Sequence, residues 1–165
     1  MIKQLKQVKR KIVTFFQTPQ EKRHALVGPA KLWKMKQDFQ INFLKSQGLQ
    51  PNQKLMDVGC GTLRGGIPLI NYLEKGNYYG IEVRNTVLEE GRKELKEHDL
   101  ERKEPHLIAF SEFNEISLNA KLDVMLAFSV LIHMEDTIVE KCIEFVSKQL
   151  ENNGTFYANV NLVSH

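Results

Sequence analysis

The sequence predicts an α/β fold, with a doubly wound, mostly parallel sheet and helices on both faces. Three observations lead there. Short apolar runs of strand length alternate with amphipathic stretches of helical period. A glycine-rich run, Leu55-Met56-Asp57-Val58-Gly59-Cys60-Gly61-Thr62-Leu63-Arg64-Gly65-Gly66, joins the first strand of that pattern to its first helix. Finally, 165 residues with 42% hydrophobic and 26% charged side chains suit a single globular core, and ten Gly and five Pro exclude collagen-like or low-complexity classes.

The N-terminal segment stands apart in charge. Residues 1–24 carry seven Lys/Arg against Glu21 alone, a local charge of +6, which leaves −3 on the remainder of a chain whose net charge is +3. Ile2, Leu5, Val8, Ile12 and Phe15 or Phe16 recur at helical spacing opposite the lysines. Such a helix either packs on its own core or makes weak contact with an anionic membrane surface through residues 1–16. The acidic remainder argues against a broad nucleic-acid-binding face.

Thr18-Pro19-Gln20-Glu21 is expected to break this helix. A second begins after Gly28, with Pro29 in the first turn, and runs to about Ser46. Its stripe of Leu32, Met35, Phe39 and Phe43 would cover one side of the sheet, with Trp33 beside it. The turn-rich Gln47–Asn52 then separates an N-terminal helical segment, 1–48, from the main domain, 49–165.

In the main domain five strands are expected: Lys54–Val58, Tyr78–Val83, His106–Phe110, Leu122–Phe128 and Thr155–Val160. Between them fall helices at Gly66–Leu73, Thr86–His98 and Thr137–Leu150, with a weaker piece near Glu112–Leu118. Thr86 with Glu89 and Thr137 with Glu140 have capping-box spacing. Asn152-Asn153-Gly154 is expected to close the last helix in a left-handed conformation. Lys93-Glu94-Leu95-Lys96-Glu97 reads as a solvated helix face. Cys60 and Cys142 lack disulfide or zinc spacing and read as free thiols; no metal site is expected. No apolar run is long enough to span a bilayer and no secretory pattern opens the chain, so the expected location is cytoplasmic.

The glycine-rich loop lies where ligands bind open parallel sheets, beyond the carboxyl ends of the strands. Gly59 and Gly61 permit a sharp turn with the backbone close to a ligand. Glu82, which ends the second strand, stands across the crevice, where a carboxylate can accept hydrogen bonds from both hydroxyls of an adenosine ribose. Asp57 disfavours a pyrophosphate beside it and suits the ammonium of a methionyl tail.

Asp57-Val58-Gly59-Cys60-Gly61-Thr62 with Gly80-Ile81-Glu82 resembles the cofactor-binding signature of class I S-adenosylmethionine-dependent methyltransferases, over residues 50–162. The resemblance implies a Rossmann-like domain that binds S-adenosylmethionine. It implies that Gly59, Cys60, Gly61 and Thr62 line the methionyl portion, that Asp57 reaches its amino group through water and that Glu82 holds the ribose. Ser111, Glu112 and Phe113 fall where the family frames adenine, and Phe128 where it approaches the transferred methyl. His133 is the candidate base for a hydroxyl acceptor, with packing beside Phe128 as the competing reading. Leu63 departs from the glycine that usually follows the threonine, which leaves the local loop conformation open.

The family's sheet ordinarily ends in an antiparallel hairpin that this sequence lacks. The fifth strand is therefore expected at an edge, inviting a homodimer or a cover from the N-terminal helices. Ala127-Phe128-Ser129-Val130 does not match the loop used to methylate base amino groups, which leaves a small molecule, glycan or lipid as the expected acceptor. Two other readings remain: a cofactor-binding but inactive regulatory or assembly module, and an NAD-dependent oxidoreductase, against which Asp57 and the Gly59/Gly61/Gly65 spacing both count.

Overall fold

The structure, a computed structural model, describes residues 18–160. The basic segment with its expected membrane contact, and residues 161–165, lie outside the described residues. The described chain runs α1 (Pro19–Ala25), α2 (Trp33–Ser46), β1 (Leu55–Val58), α3 (Gly66–Tyr72), β2 (Tyr78–Glu82), α4 (Asn85–Glu97), β3 (His106–Ala109), β4 (Leu122–Ala127), α5 (Asp136–Gln149) and β5 (Leu150–Ala158). The five strands form one sheet in the order β3-β2-β1-β4-β5, with every neighbouring pair parallel. The expected α/β class thus stands, and β5 lies at an edge of the sheet among the described residues.

Period-2 alternation sorts each central strand between two cores. Leu55, Tyr78, Val124 and Leu126 join Leu44, Leu69, Ile70, Leu73, Leu88 and Leu95 on the face covered by α2, α3 and α4. Met56, Val58, Tyr79, Ile81, Met125 and Ala127 face Phe110, Phe113, Cys142, Phe145 and Val146 on the side of α5. Asp57 and Glu82 follow the same alternation onto the first face, in the register that sets Asp57 opposite Gly80. Both cysteines are buried free thiols. Among the described residues no helix is long and apolar enough to cross a membrane.

Several local expectations are corrected. Thr18-Pro19-Gln20-Glu21 starts a helix: Thr18 and Glu21 form a reciprocal capping box, and Pro19 occupies the first turn. Pro29 leads into a single 3-10 turn, Ala30–Leu32, and α2 proper begins at Trp33. Its buried positions are Trp33, Gln40 and Leu44, whereas Met35 and Phe39 are exposed. Trp33 is held by a stacked contact with His24, ring centroids 3.4 Å apart. Thr86 and Thr137 are not caps, because each helix begins one residue earlier, at Asn85 and Asp136, with no side-chain cap. The expected helical piece near Glu112–Leu118 is one 3-10 turn, Phe113–Glu115.

Asn152-Asn153-Gly154 does not cap α5 either. Leu150 is already extended and the chain enters β5 directly, with an irregular register against β4 between Leu122 and Val124. The segment packs so closely that a Cβ on Gly154 would lie 3.0 Å from the Leu122 carbonyl oxygen.

The supposedly solvated face of α4 is where α1 docks. Arg23, 5% exposed, donates to Glu94 and Glu97 at 2.6 Å each and reaches Glu90 at 3.3 Å, while His24 meets Glu94 at 3.2 Å. The Glu97 bond, reinforced by Glu94, holds the Arg23 guanidinium well above its ordinary pKa, and Arg23 in turn holds Glu97 below the usual carboxylate value. Glu94 is only 1% exposed, so this carboxylate depends on its cation. Arg23→Met is therefore expected to cost about 3–5 kcal/mol in urea unfolding, with much of the loss recovered in Arg23→Met/Glu94→Leu.

Candidate functional site

The run after β1 folds back on β2. The amides of Gly59 and Cys60 both donate to the Ile81 carbonyl, at 2.8 and 3.0 Å, and the Gly61 amide donates to Glu82 Oε2 at 3.1 Å. Gly59 and Gly61 take φ of +69° and +58°. A Cβ at either would also lie 2.6 Å from a neighbour, Val130 and Val27 respectively, so these positions need glycine for both conformation and space.

Leu63 settles the question its sequence raised. It adopts φ +62°, the left-handed conformation a glycine would supply, with its side chain fully buried. A bulky residue there costs on the order of 1–3 kcal/mol, which the surrounding packing offsets: Leu63 fills the space between the loop and α4, where Gly91 leaves room for it. A second non-glycine at positive φ, Ser129, follows β4, its amide donating to Asn159 Oδ1 at 2.5 Å. Strained backbone thus occurs at two loops bordering one cleft.

Charge is concentrated beneath that loop. Asp57 is almost fully buried and accepts a hydrogen bond from the Tyr78 hydroxyl at 2.9 Å. Burial dominates its titration and raises its pKa to about 7, against the lowering influence of the Tyr78 bond and of Arg64. Burial, then Asp57, pushes the Tyr78 phenol well above its ordinary value, which keeps it a donor. Burial, then Asp57 and Glu82, raises the Cys60 thiol well above its ordinary pKa, the opposite of what a nucleophilic thiolate requires. Glu82 is 3% exposed; besides Gly61 it receives the Arg84 amide and Nε, both at 3.0 Å to Oε1.

A cavity of about 600 Å³ opens above the carboxyl ends of β1, β2 and β4. Gly59, Glu82, Phe128 and His133 line it; His133 is exposed, on the turn Leu131–His133. Asp57, Cys60, Gly61 and Thr62 lie behind the floor, and the Thr62 hydroxyl is buried without a partner among the described residues. Ser111, Glu112 and Phe113 are not brought to this cavity. The Ser111 and Glu112 amides bind the Glu115 carboxylate, and Glu112 and Phe113 border a separate cleft against α5; Phe110 lines the main cavity instead.

Sequence reasoning missed the roof. Leu26, Val27, Gly28, Pro29 and Lys36 cover the cavity from the N-terminal segment, and Val83, Arg84, Val130, Ile132 and Met134 complete the wall. Nothing in residues 26–29 marks a binding role. Only the fold, which brings the turn after α1 over the β1 loop, reveals them.

A family model described as a methyltransferase domain matches residues 49–163, and the chain belongs to that family. An uncharacterized protein of Rickettsia prowazekii (strain Madrid E), RP028, is 27% identical over 121 residues, covering 69% of this chain and 46% of that protein, so the chain spans about half the length of the curated relative it matches. Among solved structures, magnesium protoporphyrin IX methyltransferase from Synechocystis PCC 6803 with bound SAM has a TM-score of 0.64 at 18% identity, covering 87% of this chain and 72% of that one. The glycopeptide N-methyltransferase MtfA complexed with S-adenosyl-L-methionine has 0.61 at 18%, covering 73% and 52%. An S-adenosylmethionine-dependent methyltransferase from Clostridium acetobutylicum ATCC 824 has 0.59 at 16%, covering 94% and 56%. These likenesses establish a shared fold.

The buried acid makes stability pH-dependent. Between the ordinary carboxylate pKa of 3.8 and about 7, folded Asp57 retains a proton that the unfolded chain releases, so its contribution is full at low pH and is lost as pH rises through 7. Asp57→Asn cannot ionise. Its stability relative to the native chain is expected to rise by roughly 2–4 kcal/mol from pH 4 to pH 8 in the ligand-free protein, measured by urea unfolding across that range.

Proposed function

We propose that the chain is an S-adenosylmethionine-dependent methyltransferase acting on a small-molecule, glycan or lipid acceptor. The observation that carries this reading is the pairing of two buried acids on one face of the sheet beneath a glycine-bearing loop, with Glu82 reaching the cavity above. Family membership favours it over a nicotinamide-dependent oxidoreductase, as does a negative charge beneath the loop where a pyrophosphate would lie.

The residues present fit the cofactor. Among the described residues Glu82 Oε2 accepts only the Gly61 amide, which leaves capacity for a ribose hydroxyl. Val58, Val83 and Phe110 give an apolar wall of the kind an adenine ring needs. Asp57 supplies negative charge toward an ammonium, and its loss of a proton near neutral pH would be favoured by that cation. When bound, S-adenosylmethionine supplies a methyl group already activated by its sulfonium.

The protein's share is then alignment and exclusion of water. Leu26, Val27 and Pro29 close the cavity from above, while Phe128 and Val130 fix its far wall. His133 Nε2 or Nδ1 would take the proton from a hydroxyl acceptor. An acceptor with an apolar body suits a rim bearing Leu26, Val83, Ile132 and Met134, and the neighbouring solved enzymes named for a porphyrin and a glycopeptide bracket that range.

Calorimetry with S-adenosylmethionine is expected to give one site, weakened at least about 10-fold in Glu82→Ala. His133→Ala should leave that affinity unchanged and lower turnover with a hydroxyl acceptor. Absence of binding at millimolar cofactor would sink the reading. Binding without turnover of any acceptor would instead assign the chain to an inactive cofactor-binding module.

A further inference from the structure

Apolar surface does not stop at the cavity wall. Phe128, half-buried in that wall, meets Phe39 of α2 with ring centroids 5.5 Å apart, and Phe39 stacks on Phe43 at 5.9 Å with the planes 9° apart. Phe43 in turn meets Tyr157 of β5 edge-on at 5.2 Å. Aromatic rings thus run in one chain from the cavity across α2 to the last strand. Phe39 is 55% exposed, and Met35, one turn earlier on the same helix face, is 60% exposed.

A single exposed phenylalanine needs no explanation, but an apolar patch continuous with a cavity does. Phe39 is flanked by two rings that restrict its rotamers, so little side-chain entropy remains to be lost when another ring packs on its outer surface.

The charge beside this patch has one sign. Lys36 lines the cavity three residues before Phe39, hence on the neighbouring turn of the same helix. It is half-buried, with no carboxylate within 4 Å among the described residues. The two arginines of the lining are held elsewhere. Arg84 pairs with Glu82 at 3.0 Å; Arg64, 9% exposed, donates Nη1 to the Val27 carbonyl at 3.0 Å, and its Nε is buried without a partner among the described residues. Glu82, the one acid in the lining, is already matched by Arg84 and the Gly61 amide. An anion at the edge of the cavity would therefore meet Lys36 and no unpaired carboxylate of the lining.

We propose that Phe39, Phe128 and Lys36 form a binding site for a planar aromatic acid, the ring lying on the phenylalanine shelf and the carboxylate at Lys36, and that this acid is the methyl acceptor. Its role as acceptor rests on the cofactor reading above and narrows it. Phe39 and Phe128 already pack on each other at a 37° tilt, a geometry that a third ring can extend. An ammonium on a flexible stem takes a carboxylate as a point charge, so Lys36 places no demand on the angle at which the acid arrives.

Suitable probes are 2-naphthoate, its neutral counterpart 2-naphthylmethanol and its saturated counterpart decahydro-2-naphthoate, each titrated calorimetrically into the full chain with millimolar S-adenosylhomocysteine present. The aromatic acid is expected to bind most tightly of the three. Phe39→Ala should weaken both aromatic probes about 5- to 10-fold, and Phe39→Tyr should stay within about twofold. Lys36→Met should weaken 2-naphthoate about 3- to 10-fold and leave 2-naphthylmethanol within about twofold. Phe39 lies outside the cavity lining, so Phe39→Ala should keep its affinity for S-adenosylhomocysteine, which certifies a folded protein.

Absence of 2-naphthoate binding, or an affinity unchanged in Phe39→Ala, would overturn the proposal. Equal binding of the saturated acid would do the same. Self-association in sedimentation that Phe39→Ala abolishes would assign the shelf to a second copy of this chain, which also overturns it. Failure of the native chain to bind S-adenosylhomocysteine while 2-naphthoate still binds through Phe39 would defeat the cofactor reading and leave the shelf a binding site, a result distinct from the others.

Discussion

Closure of the loop after β1 onto the tip of β2 is the constraint on which the rest of this molecule depends. Three consecutive amides, from Gly59, Cys60 and Gly61, are spent on the Ile81 carbonyl and the Glu82 carboxylate, and only a backbone in left-handed turns can aim them so. Those bonds fix Glu82 at the crevice and leave the loop surface bare. They also require close packing by Val27 and Val130, which draws the N-terminal turn and the β4 loop together over the same space. Floor, wall and roof follow from one backbone geometry.

Burying acids beneath such a loop has an energetic consequence. Asp57 sits in a strand otherwise made of Leu55, Met56 and Val58, and it is tolerated because Tyr78 donates to it and because it titrates near neutrality instead of remaining ionised. The protein therefore carries a local penalty for ionising Asp57 at physiological pH, one that a cation placed above the loop would relieve. Arg64 has the complementary problem, a charge with too few acceptors. Stability and recognition are opposed at this spot, as is usual where a fold keeps polar groups ready for a ligand.

Much of this was legible in the sequence, and the limits have physical causes. Strand runs such as Tyr78–Glu82 are continuous apolar stretches because both faces are covered, and they stood out for that reason. Gly59 and Gly61 stood out because the loop conformation restricts residue type, and Glu82 because an acid closes an otherwise apolar strand. Leu63 was opaque, since its left-handed turn is stabilised by packing against α4, a contact distant in sequence. Met35 and Phe39 misled because helical periodicity cannot say which of two apolar stripes faces the sheet, and here Gln40 took the buried position instead. Glu94 looked solvated for the same reason: its partner Arg23 lies 71 residues away. Of the residues expected to frame adenine, Ser111–Phe113, none borders the cavity, whereas Phe110, one position earlier, does, because strand ends are the least determined part of a periodic pattern.

The anchorage of α1 has reach beyond its own neighbourhood. Arg23 grips α4 three residues before the chain becomes the canopy of Leu26 and Val27, and the Val27 carbonyl is in turn tied to Arg64. Damage at the charge cluster between α1 and α4 would thus loosen the ceiling of the cavity without touching any residue that lines it. Substitutions there would masquerade as binding defects, and the turn between the two helices is the lever that transmits them.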